Sequence, residues 1–187
     1  MKDLHNPNFG EIGYIQVYTG DGKGKTTASL GLSLRALGRG WSVLIVMFTK
    51  GGNDYGELHS FSNLSPELKE RFKIVNSGLD KVLFCSNITD EDREEVKKGW
   101  ELAKNAIMSG KYQLVVLDEI NIVIDMELVD LEEVLETLKN KPENVEIVLT
   151  GRNAHKKIKE IAHLVSEIKP VKHYWDIGVE ARRGIEY

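Results

Sequence analysis

The 187 residues carry 25 Lys and Arg against 29 Asp and Glu, a net charge of −4 that lacks the basic excess of a nucleic-acid-binding surface. Hydrophobic residues at 41% and charged residues at 29% suit a soluble globular chain, long enough for one domain with a sizeable core. The longest apolar run of the N-terminal half, Val43 to Phe48, is far too short to span a bilayer.

In chain order, Met1 to Gly10 are polar and lack the apolar core of a signal peptide. A cytoplasmic protein without membrane or nucleic-acid partners is expected, with residues 1–12 as a short arm. Tyr14 to Tyr18 reads as a strand. Thr19-Gly20-Asp21-Gly22-Lys23-Gly24-Lys25-Thr26-Thr27 follows, and Ala28 to Leu37 reads as a helix. Strand, glycine-rich turn, Lys-Thr and helix form the context of a phosphate-cradling P-loop. Glycines let successive backbone N–H groups converge, the helix N-terminus adds its positive end, and Lys25 adds a full charge. Thr26 is the hydroxyl suited to Mg²⁺. The usual first glycine falls at Thr19, and Gly20 stands one place late.

Gly38-Arg39-Gly40 ends the helix, and Ser42 to Phe48 reads as a strand buried on both faces. Thr49 to Ser60, rich in glycine and polar residues, is expected to be a loop at the strand's carboxyl end, the edge where open α/β sheets bind ligands. Phe72 to Val75 is a short strand. Thr89 with Asp90-Glu91-Asp92 reads as a cap and acidic first turn of a helix reaching about Met108. Cys85, the sole cysteine, excludes an intramolecular disulfide or a thiolate zinc site.

Leu114 to Leu117 forms the next strand, closed by Asp118-Glu119. A carboxylate at a strand tip beside a P-loop suits Mg²⁺, with spacing alone leaving Asp118 and Glu119 as alternatives. A helix opens at Asp130 and stops by Pro142. Val145 to Leu149 is a fifth strand, ending near Arg152, whose planar fork suits a phosphate. A Lys-rich helix with Ile158, Ile161 and Ala162 on one side follows, then a strand over Leu164 to Ile168 and an irregular tail over 169–187. Arg35, nine residues past Thr26, is by spacing a surface charge. Together these elements predict a single α/β domain of RecA-like P-loop NTPase type, with a mainly parallel sheet flanked by helices.

The shifted-glycine loop resembles that of the corrinoid adenosyltransferases of the CobA/CobO/BtuR type. The likeness continues through Arg35-Ala36-Leu37-Gly38-Arg39-Gly40, Phe48-Thr49-Lys50-Gly51, Val116-Leu117-Asp118-Glu119 and Leu149-Thr150-Gly151-Arg152-Asn153. It resumes in Ala162 to Glu167, Lys169-Pro170-Val171-Lys172-His173, Gly178 and Gly184-Ile185-Glu186-Tyr187. The resemblance implies transfer of the 5′-deoxyadenosyl group of ATP to Co(I) of a corrinoid, with release of triphosphate. It implies that Gly20, Asp21, Gly22, Lys23, Gly24, Lys25, Thr26 and Thr27 hold the nucleotide with Arg35 and Arg152, and that Thr26 and Glu119 ligate Mg²⁺. Lys25, Thr26 and Glu119 are then the catalytic set. A reduced flavoprotein as electron donor and a homodimer are further implications. The family's Gly-Phe-Thr-Trp stretch is matched here by Gly78 to Cys85, without its aromatic pair. The rival readings are another P-loop ATPase or small-molecule kinase, or a non-catalytic module that binds ATP or a corrinoid.

Overall fold

The computed structural model describes residues 12–49, 54–78 and 87–187. The arm before Ile12, Lys50-Gly51, and Leu79 to Cys85 of the stretch without the aromatic pair lie outside the described residues.

The strands are β1 (Ile15–Thr19), β2 (Val43–Met47), β3 (Phe72–Asn76), β4 (Leu114–Asp118), β5 (Glu146–Thr150) and β6 (Leu164–Glu167). Among the described residues they form one sheet in the order β3-β2-β4-β5-β1-β6, every pair parallel. The three central apolar strands β2, β4 and β5 are buried along their whole length, as strands covered on both faces must be. The edge strands β3 and β6 are half-buried and exposed, respectively. One strand, β5, separates the strand that carries the glycine-rich loop from the strand that ends in Asp118, the RecA-like arrangement.

Side chains alternate across the sheet and feed two apolar layers. Val43, Ile45, Met47, Leu114, Val116 and Val148 pack with Ala36 and Leu37 of α1 (Lys25–Gly38) on one face. On the other, Leu44, Val46, Val115, Leu117, Ile147 and Leu149 pack against α4 (Asp90–Met108), α5 (Ile120–Asp125) and α6 (Leu131–Lys139). α4 begins where its sequence signals it. Thr89 accepts from the Asp92 N–H while Asp92 accepts from the Thr89 N–H, a reciprocal capping box.

Two expectations need correction. The loop expected over Thr49 to Ser60 gives way to α2 (Gly56–Ser62), followed by the unforeseen α3 (Pro66–Glu70). Phe61 of α2 stacks on Phe72 of β3 with ring centroids 4.0 Å apart, a tertiary contact of the kind a seven-residue helix needs beyond its own propensity. The Lys-rich α7 (Lys156–Ile161) stops one residue early, leaving Ala162 extended as its C-cap.

Candidate nucleotide site

The carboxyl ends of β1, β4 and β5 converge on the glycine-rich loop. Gly20 adopts φ 96°, and a Cβ there would stand 2.5 Å from the Ile168 carbonyl oxygen, so side-chain-bearing residues are excluded on both counts. Gly24 caps α1 at φ 122°, outside the range of other residues, and its carbonyl accepts from the Ala28 N–H at 2.8 Å. The turn thereby aims the start of α1 into a pocket of about 590 Å³.

Asp21, Gly22, Lys23, Gly24, Lys25, Thr26 and Thr27 all line that pocket, joined by Glu119 and Arg152. Lys25 is 7% exposed and donates to the carbonyls of Gly20 at 2.7 Å and Gly22 at 2.8 Å. Burial lowers its pKa below the ordinary lysine value, Glu119 opposes that shift, and the charge of Arg152 reinforces it. An ammonium held this way gains from the arrival of a polyanion. Arg152 lies just past β5, with Nε 3.8 Å from Asp21 Oδ1 across the pocket mouth.

At the end of β4 the two carboxylates part. The Thr26 hydroxyl donates to Asp118 Oδ1 at 2.9 Å, and Thr150 donates to the same oxygen at 2.7 Å. The Glu119 backbone N–H returns to Thr150 Oγ1 at 2.9 Å. Glu119 then turns into the left-handed region, φ 63°, as the N-cap of α5. That strained turn swings its side chain into the pocket lining, which Asp118 does not join.

Arg35 is not brought to this site. It lies exposed in the last turn of α1, where its charge acts on Tyr18 of β1. Sequence reasoning also missed His173, Tyr174, Gly184, Ile185, Glu186 and Tyr187, which form one wall of the pocket. For His173 and Gly184 to Tyr187 the signal was the resemblance of this stretch to a family C-terminus, and Tyr174 had none. Hard oxygen donors, Thr26 and Glu119 in the pocket with Asp118 behind, fit magnesium chemistry. Among the described residues no three His, Cys, Asp or Glu side chains cluster as a metal site, and magnesium held by few protein oxygens keeps waters or takes ligand oxygens in its remaining positions.

The profile of the ATP:corrinoid adenosyltransferase family BtuR/CobO/CobP matches residues 11–187. The chain belongs to that family. The corrinoid adenosyltransferase of Escherichia coli K12 is 36% identical over 177 residues, covering 95% of this chain and 87% of that protein. Corrinoid adenosyltransferase CobA of Salmonella typhimurium is likewise 36% identical over 177 residues, with the same coverage. An uncharacterised Nostoc protein is 38% identical over 196 residues, and the chain spans about half its length, 52%, while aligning along 100% of its own. The family is one of transferases, and the resemblance first carried by the shifted glycine loop holds across the chain. No described helix is long and apolar enough to cross a membrane.

Proposed function

We propose that this chain transfers the 5′-deoxyadenosyl group of ATP to Co(I) of a corrinoid and releases triphosphate. Cobalt supplies the electron pair for the new Co–C5′ bond, the C5′–O5′ bond breaks, and its electrons leave with the triphosphate. The chain's task is then to hold and neutralise a leaving group. The observation that carries this reading is the buried Lys25 ammonium at the head of α1, beside Arg152 and the loop N–H groups. A nucleophile as strong as Co(I) needs no general base. A bound Mg²⁺ would add positive charge at the departing phosphates, with Thr26 and Glu119 as its protein ligands and Asp118 orienting Thr26. A reduced flavoprotein supplying the electron to Co(II), a homodimer, a single domain and a cytoplasmic setting complete the reading.

The test is an anaerobic assay with ATP, Mg²⁺ and chemically reduced cob(I)alamin, following loss of Co(I) absorbance and the phosphate product. Adenosylcobalamin with intact triphosphate is expected. ADP without a Co–C bond would instead identify a kinase or ATPase, and binding without turnover a non-catalytic module.

A further inference from the structure

Residues 169–187 and their flank return to the glycine-rich loop at three points. The Gly22 N–H donates to the Ile168 carbonyl at 2.8 Å, and Lys23 Nζ donates to the Ile185 carbonyl at 2.9 Å and to Glu186 Oε1 at 2.7 Å. Glu186 is itself gripped. The Tyr174 hydroxyl donates to it, the Arg182 N–H donates to its Oε2 at 2.7 Å, and the Arg182 guanidinium lies 4.7 Å from the Tyr174 ring centroid. Its side chain is only 19% exposed. Hydrogen bonds from Lys23 first and Tyr174 next hold the Glu186 carboxyl far below the usual carboxylate range. Burial alone would lower the Lys23 pKa, yet its bond to Glu186 leaves it raised.

An isolated surface ion pair contributes little, but here one carboxylate collects Lys23, Tyr174 and Arg182. The two lysines of the loop differ accordingly. Among the described residues Lys25 bonds loop carbonyls beside the proposed phosphate cradle, whereas Lys23 has committed its ammonium to Ile185 and Glu186. Resting on the reading of this loop as a triphosphate site, we propose that Lys23 and Glu186 are a positioning pair. The Lys23 side chain fastens residues 169–187 across the pocket instead of binding phosphate. The wall so held, with Tyr174, Ile185 and Tyr187, bears on the part of the ligand beyond the phosphates.

The test is calorimetric titration of MgATP and of inorganic tripolyphosphate into the wild type, Lys23→Met, Lys23→Arg, Glu186→Gln and the Lys23→Met/Glu186→Gln double variant. In Lys23→Met and Glu186→Gln the loss of affinity for ATP should exceed that for tripolyphosphate by about tenfold, with the double variant no worse than either single one. Lys23→Arg should keep the wild-type ratio, and trypsin should cut after Arg182 or Arg183 faster only in the variants that lose the pair. Loss of tripolyphosphate binding in Lys23→Met, with Glu186→Gln unaffected, would make Lys23 a phosphate ligand and overturn the pair. A wild type that binds neither probe would overturn the triphosphate reading itself.

Discussion

The Thr26 hydroxyl donates to Asp118 Oδ1 at 2.9 Å, fastening the first turn of α1 to the tip of β4. Asp118 is 1% exposed and shares that oxygen with Thr150, while its neighbour Glu119 alone enters the pocket. Adjacent carboxylates thus take different places, one bonded to the Thr26 hydroxyl and the other in the pocket lining.

Magnesium dependence should separate them. Asp118→Asn, acting through Thr26, is expected to raise the Mg²⁺ concentration for half-maximal turnover by roughly tenfold to a hundredfold. Glu119→Gln should raise it further. A magnesium titration of adenosylation checks both, and an unchanged curve for Glu119→Gln would transfer the ligand role to Asp118.

Lys25→Ala removes the buried cation to which the proposed reaction gives the stabilisation of the leaving group. Turnover should fall by about 10²- to 10³-fold, the cost of deleting one preorganised stabilising donor. Single-turnover rates at saturating ATP measure it. Near-normal rates would mean that the loop N–H groups and Arg152 suffice without the ammonium.

The lowered pKa of Lys25 predicts a pH effect of definite sign. Only the ammonium attracts a polyanion, so ATP affinity should decline as pH rises, starting below the ordinary lysine value of 10.5. Bound phosphate favours the charged form and pulls the pKa back up, so binding should take up a proton in alkaline buffer. Calorimetry in buffers of different ionisation heat reads that uptake directly. It should vanish in Lys25→Ala.

Stability offers a check away from the pocket. Thr89→Ala deletes half of the capping box that starts α4, the helix whose Val96, Trp100, Ala103 and Ile107 cover one sheet face. A loss of about 1 kcal/mol is expected by chemical denaturation. A change near zero would mean that the Asp92 carboxylate alone secures the helix start.

Much of this was legible because the strands are apolar runs and the helix starts carry caps. Val43 to Met47 and Leu114 to Asp118 announce themselves by continuous burial-prone sequence, and Thr89 and Asp130 by their side-chain oxygens ahead of acidic turns. α2 was not legible, since a short helix opening on Gly56 lacks periodicity and depends on the Phe61–Phe72 contact. The choice between Asp118 and Glu119 rests on the left-handed turn at Glu119, which nothing in a two-carboxylate string declares. Lys23 and Glu186 stand 163 positions apart, beyond the reach of any local pattern. Arg35 shows the converse, a residue lent a nucleotide role by resemblance that sits on the exposed end of α1.

The place of β1 in the sheet bears on how the protein comes into being. Although β1 is the first strand among the described residues, it lies between β5 and β6, with Ile15 beside Ile147 and Gln16 beside Leu164. During synthesis, which releases the N-terminal part first, β1 has neither strand neighbour until β5 and β6 have emerged. The glycine-rich loop is therefore set between its strand neighbours late, and on the proposed reading ATP would recognise only chains that have closed this long-range pairing. Ligand binding would then double as a sign of completed folding, withheld from nascent chains however intact their glycines.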